Sequence, residues 1–190
     1  MTYPTSPKFN AINLQSESPT LFSETVSGRM QSRKIGGQKW TFTATYPPMT
    51  RTEFNPVFAY TVSQNGRHGV FTVTPTEIST SSGNPSGTVT CAAAALGIKS
   101  VTIAGLTGAL KAGDVVKFSG HTKVYMLTSD RAGNGAMAFT PGLVVAVTTS
   151  DTVTYSNVPF TVRLNNDIQG YKLGAGNFFK YEVDFVEALS

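Results

Sequence analysis

Gly36-Gly-Gln-Lys-Trp-Thr-Phe-Thr-Ala-Thr-Tyr-Pro-Pro-Met-Thr-Arg-Thr-Glu-Phe54 is the stretch on which the reading of this chain turns. Trp40, Phe42, Ala44 and Tyr46 alternate with Thr41, Thr43 and Thr45, the period of a strand with one buried face. Pro47-Pro48 ends that strand, because neither residue can donate a ladder hydrogen bond. Thr50-Arg-Thr-Glu53 has the form of a capping box, with Thr50 as N-cap and Glu53 at N3. Phe54, Val57, Phe58, Thr61 and Val62 follow at helical spacing, and Asn65-Gly66 supplies a stop. Pro56 conflicts with a helix interior, so Asn55 as N-cap with Pro56 at N1 is the alternative start. The pattern predicts a short helix within 50–65 whose first turn is irregular.

Outward from this stretch the chain reads as strands and turns. Its 26 threonines, 18 glycines and 10 prolines favour both over helix. Residues 1–35 are Ser/Thr/Pro-rich over most of their length and read as an extended N-terminal arm, ordered where something receives it. Residues 36–87 form the first part of a β-rich core domain with the short helix, and include a strand at Val70–Pro75 and a loop at Thr76–Gly87. Short strand signals then crowd together between Gly-rich turns, at Thr88–Ala95, Val101–Ala104, Asp114–Ser119, Lys123–Thr128 and Ala136–Thr140. They make residues 88–150 an inserted small β module, a barrel or a sandwich. In residues 151–190, Phe179, Tyr181, Val183 and Phe185 alternate with Lys180, Glu182 and Asp184, and this strand is expected to pair with Lys39–Tyr46 to complete the core domain. The predicted fold class is mainly β (all-β or β-rich α+β): a β-rich domain with one short helix and a small inserted β-barrel or sandwich.

Length and composition bound the function. A chain of 190 residues is long enough to bury a core without disulfides or metal. Charged residues are 14%, well under the average of roughly 25%, as in proteins whose surface is partly covered by partners. No apolar run is long enough to span a bilayer, and Met-Thr-Tyr-Pro-Thr-Ser-Pro-Lys8 is not a secretion signal. The net charge of +4 lies entirely in residues 1–67, where seven Lys/Arg face three Asp/Glu. Arg29, Arg33, Lys34 and Arg51 lie in or against a span, Thr25–Thr52, that holds no acid, and are the candidate subunit-interface residues. Nucleic acid is not the expected partner, since no basic-aromatic binding fold accompanies the charge.

No constellation for catalysis assembles. Asp114 lacks a second carboxylate, and Gly-Asp at a strand start is turn chemistry. Cys91 sits in an apolar run, and His68 and His121 in Gly-rich turns read as exposed. Two histidines without a Cys or Asp cluster offer no metal site. Neither Gly36-Gly37 nor Gly174-Ala-Gly176 has phosphate-cradle spacing, so no cofactor is expected. Cys91 ahead of Leu110-Lys-Ala-Gly-Asp114 faintly resembles a self-splicing intein, but no Thr-x-x-His and no closing His-Asn follow, and that reading fails. The chain is expected not to be an enzyme.

Gly37-Gln-Lys-Trp-Thr-Phe42, Pro47-Pro-Met-Thr50, Gly66-Arg-His-Gly-Val-Phe71, Ala112-Gly-Asp114, Val124-Tyr-Met-Leu-Thr128 and Pro141-Gly-Leu143 together resemble tailed-phage tail and baseplate structural proteins, in particular the "ripcord"-type baseplate proteins of contractile-tailed phages. The resemblance spans residues 30–143. It implies a non-enzymatic virion protein, made in the host cytoplasm, that holds tail tube or hub and baseplate parts together. Its implied partners are tail tube, hub, sheath or sheath initiator, with further copies in a ring of three- or sixfold symmetry. The competing function is a receptor- or carbohydrate-binding module of a phage tail, for which Tyr125 near Asp130 and Asn134 offers the exposed aromatic.

Overall fold

The structure is a computed structural model and describes residues 2–189. Along the chain run β1 (Ala11–Glu17), β2 (Thr20–Glu24), β3 (Met30–Lys34), β4 (Lys39–Thr45), α1 (Arg51–Ser63), β5 (Phe71–Val73), α2 (Thr76–Ser79), β6 (Val89–Cys91), β7 (Ser100–Ala104) and β8 (Ala109–Leu110). They are followed by β9 (Val115–Phe118), β10 (Tyr125–Leu127), β11 (Arg131–Ala132), β12 (Gly135–Thr140), β13 (Thr152–Thr154), β14 (Phe160–Leu164), β15 (Tyr171–Leu173) and β16 (Phe179–Glu187). Strand covers 41% of the chain and helix 12%, which is the mainly β class. Two compact units divide the chain: a sheet unit of Ser6–Gly69 with Val162–Ala188, and a barrel unit of Val70–Thr161 with residues 2–5 and 189.

In the sheet unit the strand order is β1-β4-β16-β14, with β15 also on β16. The expected pairing of the last strand with the Trp40 strand is present: β16 lies antiparallel to β4, from Glu182↔Thr45 to Val186↔Thr41. Alternation sets the face. Trp40, Phe42 and Ala44 are buried, as are Tyr181, Val183 and Phe185, and Phe42 meets Phe185 at 4.9 Å between ring centroids. Glu187 falls on the buried face and accepts the Trp40 N–H at 3.1 Å. The opposite face is polar, where Thr43 donates to Asp184 at 2.6 Å.

Helix α1 starts where the capping box puts it. The Glu53 carboxylate accepts from the Thr50 N–H at 2.9 Å and from the Thr50 hydroxyl at 2.8 Å. Those bonds hold the carboxyl below its ordinary pKa. Pro56 lies inside the helix, and the alternative start at Asn55 is not used. The capping box sets the helix start, and the burial of Phe54, Val57 and Thr61 helps offset the backbone bond lost at the proline. The helix ends at Asn65 (φ 54°) and Gly66 (φ 64°), both left-handed.

The stretch read as an extended arm contains regular structure. β1 pairs along its whole length with β4, from Ala11↔Thr45 to Glu17↔Lys39. Beyond it, β2 and β3 form a separate two-stranded ribbon.

The barrel unit resolves the choice between barrel and sandwich. β10-β12-β7-β6-β13-β9 form a closed barrel, and β9 pairs back onto β10. Closure removes exposed sheet edges. Its sixth strand, β13, lies past the expected module boundary at residue 150. Three residues are too short a run to stand out by alternation. The core is filled by Phe118, Tyr125, Met137, Phe139 and aliphatic residues such as Val89, Val101, Ile103, Val116, Leu127 and Val153, so that every barrel strand contributes to it. Gly108 has φ 82°, and a Cβ there would collide with the Asn84 carbonyl, so the 80–87 loop can lie tight against the β7–β8 turn.

Candidate assembly interface

Three of the four cations singled out in the sequence stand on one ribbon. β2 and β3 pair as Thr20↔Lys34, Leu21↔Arg33, Phe22↔Ser32, Ser23↔Gln31 and Glu24↔Met30. The turn is held by Thr25, whose N–H donates to the Arg29 carbonyl at 3.0 Å and whose hydroxyl accepts the Arg29 N–H at 3.1 Å. Alternation places Leu21 and Arg33 on one face, and Phe22, Met30 and Lys34 on the other. Both strands are exposed throughout, with Phe22 at 61% and Met30 at 68%. Two strands alone are at most marginally stable in water, and this pair has no buried face of its own. Apolar groups on both faces beside three cations suit a surface that another protein covers.

Arg51 is not on the ribbon. It opens α1 on the same helix face as Phe54, Asn55 and Phe58. That face forms one wall of a groove of about 670 Å³ whose other wall is Tyr171, Leu173 and the 176–179 turn. The floor is aromatic: Phe54 lies 4.6 Å from Phe179 and 4.8 Å from Tyr171, and Phe58 lies 5.2 Å from Tyr171. Among the described residues none of Arg29, Arg33, Lys34 and Arg51 forms an ion pair.

The carboxylates that could do chemistry are occupied in holding loops. Asp114 is buried and accepts from the Ser81 hydroxyl, from the Ser82 N–H at 2.8 Å, from the Ser82 hydroxyl at 2.8 Å and from the Lys111 N–H at 2.8 Å. Burial alone pushes its pKa up, but these bonds outweigh it and hold the carboxyl below the usual range. Asp130 takes the Lys111 ammonium at 2.8 Å and the Ala112 N–H at 2.9 Å, and both keep it ionised. Asp151 accepts from the Thr148 N–H at 2.7 Å and the Ser119 hydroxyl at 2.9 Å, again lowering its pKa.

Cys91 is buried, and burial followed by the Asp151 charge pushes its thiol up, away from the reactive thiolate. His121 corrects an expectation: it is buried, not exposed, and its Nδ1 lies 3.1 Å from the Tyr125 hydroxyl. Its burial comes from the aromatic cluster, since the ring lies 5.6 Å from Phe118 and 6.1 Å from Tyr125, and sequence spacing gives no sign of it. Burial also lowers its pKa, which favours the neutral ring. Among the described residues no group of three or more His, Cys, Asp or Glu side chains is placed to hold a metal ion.

The aromatic proposed for a sugar site is not available. Tyr125 has no exposed surface and packs 5.2 Å from Phe139 in the barrel core. Asn134 is committed to the Leu106 N–H at 3.1 Å, and Asp130 to Lys111. What the sequence reading missed is the apolar half of the ribbon, Leu21, Phe22, Val26 and Met30. Because both faces are exposed, there is no alternation to find. The usable signal was Ser27-Gly28, a turn between two short β-prone runs.

Comparison with known proteins places these features among phage tails. The family described as "Distal tail protein pb9, B domain" matches residues 79–158, the stretch that holds the closed barrel. The chain is also similar to "Distal tail protein pb9" of Escherichia phage T5, with 26% identity over 164 residues, covering 83% of this chain and 80% of that protein. These similarities support a structural phage tail protein, located in the virion tail and working with other tail proteins. They suggest a non-enzymatic part. T5 is a siphophage, so the contractile, ripcord-type part of the resemblance draws no support from this relative.

Proposed function

We propose that this chain is a structural component of the distal end of a phage tail, which joins the tail tube or hub to the parts beyond it as a homo-oligomeric ring. The observation that carries the reading is the β2–β3 ribbon, exposed on both faces and bearing Leu21, Phe22 and Met30 beside Arg29, Arg33 and Lys34. A ring needs head-to-tail contacts between unlike surfaces of identical subunits. A ribbon exposed on both faces and paired with no other strand among the described residues is suited to contact a neighbouring subunit. The similarity to a distal tail protein across most of both chains supports the location. Among the described barrel-unit aromatics only Tyr155 is partly open, and its hydroxyl is committed to the Gly87 carbonyl at 2.7 Å, so the carbohydrate-binding alternative finds little support there.

The test is immunogold electron microscopy of purified virions, combined with native mass spectrometry of the isolated protein. Label at the distal tail end and a closed oligomer are the expected results. A protein missing from virions, or label spread along the capsid, sinks the proposal.

A further inference from the structure

β15 pairs with β16 along one edge and, among the described residues, with no strand along the other. Its two faces differ in chemistry. Tyr171 and Leu173 point to the α1 side, where with Phe54, Phe58 and Phe178 they line the 670 Å³ groove. Tyr171 is 49% exposed, Leu173 57% and Phe178 44%, so this apolar surface lacks a cover. On the reverse face Lys172 stands directly across from Lys180 in the β15–β16 register. Like charges opposite each other across strands are destabilising. Neither lysine forms an ion pair among the described residues, and the nearby Glu182 carboxylate is approached by the Thr45 hydroxyl at 3.5 Å. A cavity of about 600 Å³ lies beside the pair.

We infer that the free edge of β15 receives an extended segment of another tail protein that alternates apolar and acidic residues. Added as a further strand, such a segment bonds through its backbone to the β15 edge. Its apolar residues then enter the aromatic groove beside α1. Its acidic residues fall on the opposite face, where they relieve the Lys172–Lys180 repulsion. Arg51, which lines the groove and forms no ion pair among the described residues, favours a carboxylate at the end of the apolar side. The β2–β3 ribbon of a second copy is a poor occupant, because Arg29, Arg33 and Lys34 would meet Lys172, Lys180 and Arg51.

This inference rests on the tail reading, and the experiment separates the two. Virions are produced with the photoreactive residue p-benzoylphenylalanine in place of Leu173, irradiated, and the adducts mapped by mass spectrometry. The expected adduct joins this chain to a different tail protein, within a segment alternating apolar residues with Asp or Glu. An adduct to a second copy, to a segment without that pattern, or no adduct although the chain is present in the virion, overturns the inference and leaves the tail reading standing. Absence of the chain from the virion overturns both. A second variant, Lys172→Glu, should lower adduct yield about fivefold, the size of one exposed ion pair. It also removes the repulsion with Lys180, so the isolated protein should melt no lower than wild type. Unchanged yield in that variant also overturns the inference.

Discussion

The two units of this molecule treat the same residue types in opposite ways. In the barrel unit every strand edge of the barrel is paired, the aromatics Phe118, Tyr125 and Phe139 are interior, and Asp114, Asp130 and Asp151 each accept several hydrogen bonds from nearby loops. In the sheet unit Phe22, Tyr171 and Phe178 are exposed, and among the described residues β15 has one unpaired edge and the cations of the ribbon have no carboxylate partners. Folding pairs the barrel's strands and buries its aromatics, and leaves aliphatic residues such as Leu96, Ile98, Val144 and Val145 exposed around it. The sheet unit leaves aromatics and cations uncovered, and these are the groups that the proposed assembly would use. The contrast also separates residues that fix stability from residues that fix partners, and that separation can be broken experimentally.

The largest effect on stability belongs inside the barrel. Phe139 is fully enclosed and meets Tyr125 and Phe118 at 5.2 and 5.6 Å. Phe139→Ala should cost about 3–5 kcal/mol through lost burial and the cavity left behind. Denaturant unfolding of the full chain measures this. A loss under about 1 kcal/mol would mean the barrel core relaxes freely and is not the rigid half of the contrast.

Asp114→Ala comes next, at about 2 kcal/mol, because Ser81, Ser82 and Lys111 lose a charged acceptor. The carboxyl's folded pKa lies below its ordinary value, so its contribution is fully present above the unfolded pKa of about 4 and is lost as pH falls through the folded value. Wild type should therefore lose stability in that acid window while Asp114→Ala loses less, and the gap between them should narrow. Parallel pH profiles would show that Asp114 is not the staple described here. In the sheet unit, Thr50→Ala removes the N-cap of α1 and should cost about 1 kcal/mol. Thermal melts compare the two directly.

How legible these halves were in the sequence follows from the same contrast. β4 and β16 were readable because one face is buried and the other wet, so Trp40-Thr-Phe-Thr-Ala and Phe179-Lys-Tyr-Glu-Val alternate cleanly. The Thr50–Glu53 box fixed the helix start, since capping is local chemistry. β1 was hidden in a Ser/Thr/Pro-rich stretch because Ile12 and Leu14 are only half-buried. The ribbon has no inside, so no periodicity records it. The groove joins Phe54 and Phe58 to Tyr171, residues more than a hundred positions apart, and only the β15–β16 pairing brings them together. Cations without nearby acids were visible as a charge run, but the structure splits that set: Arg29, Arg33 and Lys34 share the ribbon, and Arg51 belongs to the groove.

The smallest effect on stability should come from the ribbon. Replacing Arg29, Arg33 and Lys34 together by Ser removes three exposed side chains that make no ion pair among the described residues, so the melting behaviour should stay within about 0.5 kcal/mol of wild type. Leu21→Ser with Phe22→Ser should do the same, because both side chains are already in water. The effect on assembly should be the reverse. Covered by a neighbour, the apolar pair supplies burial, and the cations meet acidic groups in a partly desolvated setting where truncation weakens binding far more than at an open surface. Both variants should therefore fold normally and yet be depleted from purified tails, the apolar pair most. Because the cations act through charge, raising salt during assembly should depress wild type toward the triple variant and leave the Leu21/Phe22 variant little changed. Normal incorporation of a normally folded triple variant, with no salt dependence in wild type, would show that the cluster is a solvated stretch and that the ribbon binds, if at all, through its apolar residues alone.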